Sequence, residues 1–329
     1  MKTGVAYFGV RNPKWVREDM KIIRDLGFTH VLHTWSEEDE QYYRGTMEEI
    51  VALSAELGLK VYVNPWGVGR VFGGEAYSEL VSKNPALAQI SSNGRTLPAA
   101  CPNQDAFREY LFGWIESVCR TAAETIFWDE PHFYFEKGAL DKWACRCAMC
   151  RRKFEEENGK PMPETLTPEV KNFREKSLLR FLESVTKKVH EHGKRNSVCL
   201  LPPWFPAGLD RWEDVAALKP VDEIASDPYW EKETPAAVIQ KNYAEVSARL
   251  HALAGEYGKE SQMWIKNYHI VAGAENDVAV ATEASYRAGI RNIFAWSYRG
   301  SEYLSWLRSD NPEKVWKTQC EALAKYQKI

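Results

Sequence analysis

Two kinds of reactive residue stand close together in residues 125–150, TIFWDEPHFYFEKGALDKWACRCAMC. An apolar run ends in Asp129 and Glu130, and Cys145, Cys147 and Cys150 follow about fifteen residues later. A carboxyl with apolar walls keeps its proton to higher pH and can act as a general acid. Trp128, Pro131, Phe133 and Tyr134 could supply such walls. Successive strand residues face opposite sides, so one of the two acids is expected to face the site and the other to orient it. Glu130 is the preferred acid and Asp129 the orienting group, or the roles are exchanged.

The thiols follow a different logic. Three cysteines within six residues of a protein without secretory features point to a metal site rather than to disulfides. The spacing C-x-C-x-x-C offers three thiolates on one tight loop, and tetrahedral zinc takes a fourth. Cys101, in AACPNQ, is the candidate for that place. A closed four-sulfur site has no open position, so its zinc would be structural. Cys119 and Cys199 fall in apolar helix and strand patterns and read as core thiols, while Cys320 lies in the last helix pattern.

The elements that must position these groups form a recurring unit. RDLGFTHVLHTW, AELGLKVYVNPW and YRAGIRNIFAWS each pass from a helical pattern through Gly27, Gly58 or Gly289 into a strand-like run. Eight such runs occur, at 4–10, 30–35, 60–66, 125–130, 197–204, 223–230, 262–270 and 292–298. Helical patterns between them cover 15–26, 45–57, 105–120, 170–192, 236–254, 279–288 and 312–327. Strands alternating with helices imply a parallel sheet, and eight units in 329 residues fit an α/β (β/α)8 TIM barrel. A doubly wound open sheet is the competing fold, but no glycine-rich phosphate loop follows any of the runs. The long connections 68–104 and 131–168 follow strands 3 and 4, on the face where barrel active sites form. No linker divides the chain, which reads as one domain over 1–329.

The strand ends then become the candidate site. They present His33 and Trp35, Asn64 and Trp66, Asp129 and Glu130, Trp204, Asp227 and Tyr229, Asn267, Tyr268 and His269, and Trp296 and Arg299. Flat aromatic faces mixed with polar groups suit a sugar, and Trp35, Trp66, Trp204 and Trp296 are expected around one pocket. The net charge of −3 leaves no footprint for nucleic acid. No apolar stretch reaches the roughly 18 residues of a membrane helix, and MKTGVAYFGVRNPKW lacks a signal-peptide core. A cytoplasmic location is expected, and a homo-oligomer is compatible with the sequence.

The motifs ACPNQDAFREYLFGWIE, the strand ending in a carboxylate, and CRCAMCRRKFEEENG resemble glycoside hydrolase family 42, the zinc-containing β-galactosidases. The resemblance covers roughly residues 95–160. It implies zinc ligands at Cys101, Cys145, Cys147 and Cys150 and an acid/base at Glu130. Two positions depart from the pattern. Asp129 stands where the family has Asn, and QMWIKNYHIVAG has no carboxylate at the strand-7 end, where the family's nucleophile sits; Asn267 and His269 stand near that place. The second catalytic carboxylate is then Asp129 or Asp227. In an arrangement similar to the α-galactosidase-like clan, Asp129 would be the nucleophile and Asp227 the acid. Glu75 and Glu302 are lesser loop candidates. A sugar-binding barrel without cleavage is a further alternative, as is an isomerase or aldolase using Lys266, the strand-end lysine.

Overall fold

The computed structural model describes residues 1–74, 76–135, 143–205 and 207–327. Eight parallel strands close into a barrel: β1 (Lys2–Tyr7), β2 (His30–Thr34), β3 (Lys60–Asn64), β4 (Thr125–Trp128), β5 (Arg195–Leu200), β6 (Glu223–Ser226), β7 (Glu260–Lys266) and β8 (Asn292–Trp296). Each pairs with its neighbour in sequence, and β8 closes on β1 through Lys2 opposite Asn292 to Val5 opposite Ala295. This is the (β/α)8 TIM barrel expected from the alternating pattern. Gly27, Gly58 and Gly289 end their helices at φ 88°, 88° and 103°, the left-handed geometry that turns each helix into the next strand.

Strand alternation sorts the core into two layers. Ala6, Leu32, Tyr62, Phe127, Cys199, Ala225, Trp264, Phe294 and Trp296 fill the barrel. Their sequence neighbours Val5, Val31, Val61, Val63, Ile126, Trp128, Val198, Ile224, Met263, Ile265, Ile293 and Ala295 pack outward under the helices. The long connections contain structure of their own. The first holds the helix Glu79–Lys83 and an antiparallel hairpin of Ala88–Ile90 with Thr96–Ala100, and the second holds the helix Ala148–Asn158. After β5 the outer layer has, among the described residues, the five-residue helix Trp212–Ala216, too short to leave a periodic pattern. No helix among the described residues is long and apolar enough to cross a membrane.

The N-terminal end of the barrel is polar inside. Glu223 is 1% exposed, receives the Asn292 amide and faces the Tyr62 hydroxyl at 3.4 Å. Burial raises its pKa from 4.5 to about 7, against the opposing pull of Ser197, Lys2 and Arg195. The unfolded chain therefore ionises before the folded one, and the stability present below about pH 4.5 declines as pH rises through about 7. At 1.36 kcal/mol per pH unit the decline amounts to about 3 kcal/mol. Glu223→Gln should remove it, since the variant has nothing to ionise and its amide can donate to the unpartnered Asn292 Oδ1. Urea unfolding at pH 4 and pH 8 should show the stability of variant over parent growing with pH. Parallel profiles would refute the argument.

Candidate active site and thiol cluster

Asp129 and Glu130 leave β4 at the C-terminal end of the barrel. Alternation places Phe127 and Asp129 inside and Trp128 outside, so Glu130 was expected to point away from Asp129. The backbone prevents this. Glu130 has φ 43°, a left-handed conformation that costs a non-glycine residue roughly 1–3 kcal/mol. That turn brings both carboxylates to one pocket, with Asp227 opposite them and Phe127, Tyr229, Trp264, Tyr268, Trp296 and Gly74 completing the wall. The turn is held by His132, whose Nδ1 lies 2.5 Å from the Glu130 carbonyl, and by Gly73 N–H, which donates to the Asp129 carbonyl at 2.9 Å. Any side chain at Gly73 would stand 2.8 Å from Asp129 Oδ2 and 3.1 Å from Glu130 Oε2. Gly74, at φ 123°, lies so close to the Trp66 indole that a Cβ would be 1.7 Å from its Cδ1.

The electrostatics single out Asp227. It is 5% exposed, and its pKa is raised well above the carboxylate range by burial and then by the Glu130 and Asp129 charges. Glu130 is in hydrogen-bonding contact with it, and Cys199 touches it from the barrel interior. Burial and the neighbouring negative charges both favour the protonated form of Asp227. Asp129 receives a long hydrogen bond, 3.5 Å, from Asn64 Nδ2.

Several buried polar atoms at this end of the barrel lack partners among the described residues: Asn64 Oδ1, Trp66 Nε1, Asp227 Oδ1 and both amide atoms of Asn267. An unsatisfied buried polar atom costs about 1–3 kcal/mol.

The other residues taken from the strand ends divide into three groups. Tyr229 and Trp296 line the acid pocket and Asn64 touches Asp129. Trp66 adjoins them through Phe8, whose ring lies 5.2 Å from both Trp66 and Trp296. Asn267 is buried at the end of β7, where its N–H donates to the Trp296 carbonyl. His269 and Arg299 stand farther out: His269 Nε2 meets the Trp306 carbonyl, and Arg299 pairs with Glu302 at 3.1 Å. That pairing engages Glu302 outside the residues lining the acid pocket. Glu75 lies outside the described residues.

His33, Trp35 and Trp204 do not join the acid pocket. His33 and Trp35 have the outward parity of β2. The His33 imidazole meets Ser54 Oγ at 2.9 Å and its pKa is lowered to about 4 by burial. Trp35 is 0% exposed, with Nε1 donating to Glu40. The expectation of four tryptophans around one pocket therefore fails, because strand-end position alone does not fix the side on which a residue points. Trp204 lines a separate groove. Lys266 is buried, donates to the Trp230 carbonyl at 2.6 Å and is absent from the pocket wall. Its pKa is lowered to about 8 by burial. Phe8, Phe127, Trp264, Gly73 and His132 belong to the site and were not anticipated, whereas Tyr268 was expected from the end of strand 7. For Phe127 and Trp264 the signal was present, as both have the inward parity of their strands.

The four expected thiols come together. All four sulfurs of Cys101, Cys145, Cys147 and Cys150 are buried and lie within 4.8 Å of one another, a group that could hold a metal ion. Cys101 Sγ is 3.3 Å from Cys150 Sγ and 3.7 Å from Cys147 Sγ. The backbone N–H groups of Ile90 and Cys147 donate to Cys145 Sγ, each at 3.4 Å, and Asn103 Nδ2 donates to Cys150 Sγ at 3.3 Å. Cys147 stands at the N-cap position of the helix Ala148–Asn158 without a side-chain capping bond, and Cys150 sits in its first turn, where the helix dipole favours thiolates. The hairpin delivers Cys101 and docks on the second loop through the Ser91–Ala144 bridge and the Arg146 N–H to Ile90 carbonyl bond of 2.7 Å.

No protein-family profile matches the chain, and no curated protein matches it. Solved structures do. The endo-β-1,4-mannanase from Thermotoga petrophila superposes with a TM-score of 0.61 at 12% identity, over 98% of this chain and 76% of its own. The GH5_18 protein from Bifidobacterium longum subsp. longum gives 0.57 at 15% identity, over 100% and 80%. The D-psicose 3-epimerase from Clostridium cellulolyticum H10 gives 0.51 at 12% identity, over 100% and 99%. These likenesses establish the barrel.

Proposed function

We propose that the protein hydrolyses a glycosidic bond at Asp129, Glu130 and Asp227. The observation that carries this reading is the convergence of three carboxylates from β4 and β6 on one aromatic-walled pocket. The unpartnered polar atoms around it suit a ligand rich in hydroxyls, and Trp296 and Tyr229 suit the C–H faces of a sugar ring. The Asp227–Glu130 pair supplies the proton to the leaving oxygen. Glu130 acts directly on Asp227, so these two form the proton-donating unit and Asp129 is left for the second role. Asp129 is therefore the carboxylate that meets the anomeric carbon, directly or through an activated water. This transfers the acid role from Glu130 alone to a pair centred on Asp227.

The zinc-containing β-galactosidases remain the family that the thiol motif resembles, and the cluster fits zinc. Four sulfurs at 2.3 Å from a tetrahedral ion lie about 3.8 Å apart, close to the 3.3 and 3.7 Å found here. When bound, zinc would tie the two long loops together; none of its four ligands lines the acid pocket.

A panel of nitrophenyl glycosides tests the proposal. The parent protein should cleave at least one of them, and Asp129→Asn should lower turnover on it by at least 10²-fold. Binding of sugars without cleavage by the parent would place the protein among non-catalytic barrels instead.

A further inference from the structure

Beside the acid pocket, between the loops that follow β4 and β5, lies a second groove of about 320 Å³. Its size is within the range of ligand pockets. Phe133, Tyr134, Phe135, Trp143, Trp204 and Phe205 line it together with charged side chains of both signs, including Arg174 and Glu175. Trp204 is 51% exposed, so its indole presents an apolar face to the groove. The groove continues from the acids. The Phe135 ring is 5.1 Å from Phe205 on one side and 5.8 Å from His132 on the other, and His132 holds the Glu130 carbonyl. Arg174 lies over the Phe133 ring at 5.3 Å and donates from its Nε to the Ala144 carbonyl.

We infer that the groove binds further sugar units of the same substrate, so that the protein acts on an oligosaccharide or polysaccharide rather than on a simple monosaccharide glycoside. Rings walled by aromatic faces and flanked by both donors and acceptors match a neutral glycan, whose pyranose rings have apolar faces and polar edges. Charges of both signs on the wall argue against a strongly anionic or cationic ligand. The inference rests on the glycosidase reading for its direction, since the chain would run from the acids into the groove.

Two measurements on parent and Trp204→Ala test it. With aryl monosaccharide glycosides and their oligosaccharides as substrates, kcat/KM of the parent should rise with chain length. Trp204→Ala should lose about tenfold on the longer chains, through KM, and at least fivefold less than that on the aryl glycoside. Affinity electrophoresis in gels containing galactomannan, xylan or laminarin needs no cleavage. One of these should retard the parent, and Trp204→Ala should migrate freely. If the parent cleaves aryl glycosides but neither prefers longer chains nor is retarded, this inference falls while the glycosidase reading stands. If retardation depends on Trp204 but nothing is cleaved, the glycosidase reading falls and the groove remains a glycan site. Self-association by ultracentrifugation that Trp204→Ala abolishes, without any retardation, would assign the groove to a second copy of the chain and overturn the inference.

Discussion

Asp227→Asn should give a folded protein with turnover reduced at least 10²–10⁴-fold, the usual contribution of a general acid, and with higher stability than the parent at pH 7. Both effects follow from one fact. Asp227 is buried beside two other carboxylates, and its pKa is raised well above the ordinary range by burial first and by Glu130 and Asp129 next. The raised pKa keeps a proton available for the leaving oxygen, and it also makes the folded state pay for any ionisation. The sign is fixed by linkage. The unfolded chain loses this proton near the ordinary Asp value of 3.8, so the parent's stability is full below that pH and declines above it. Asparagine cannot ionise, and its amide can donate to Glu130 in place of the lost proton. The stabilisation by Asp227→Asn should thus be small at pH 4 and grow toward pH 7, as read by thermal or urea unfolding. Activity of the parent should fall on the alkaline side as Asp227 gives up its proton. A variant within threefold of parent turnover would remove Asp227 from the chemistry. A variant that is inactive and also less stable at pH 7 than at pH 4, relative to parent, would show that the burial argument is wrong.

How much of this was legible in the sequence depends on the kind of signal. The barrel strands stood out because a strand buried on both faces reads as a short apolar run, and the helix–Gly–strand joins marked where each begins. The hairpin at Ala88–Ala100 was passed over although Asn93-Gly94 marks its turn, because its strands are short and partly exposed. Strand ends located Asp129, Glu130, Asp227, Tyr229 and Trp296, since barrel sites are built there. Position alone misassigned His33 and Trp35, whose parity on β2 turns them under the helices. At Glu130 two signals conflict. Parity would have removed it from the site, and only the left-handed turn, which no pattern of residue types announces, restored it. Cys101 was found by counting sulfurs, and the hairpin explains why a residue 44 positions before Cys145 can complete the group.

Purified protein should contain one zinc per chain, and Cys147→Ser should lose most of it together with the order of both long loops. The donor set is four buried sulfurs at tetrahedral spacing, three of them on a segment of six residues, so losing one leaves a three-sulfur site open to exchange. Cys147 is a consequential position because its sulfur joins Cys101 of the hairpin to the start of the helix Ala148–Asn158. The barrel has its own core and should survive, so the loss of stability is expected at about 3 kcal/mol or more, above that of most substitutions, rather than complete unfolding. Hydrogen exchange should rise in 85–103 and 143–158, the segments that the cluster and the Ser91–Ala144 bridge hold together. Because Tyr134 is tied to the hairpin through Gln89, at 3.0 Å, loosening should spread to the groove walls and raise KM for long glycans more than it lowers kcat. Metal analysis that finds no zinc in the parent, or a full equivalent in Cys147→Ser with unchanged exchange, would separate the thiols from any metal and leave their clustering to be explained by packing alone.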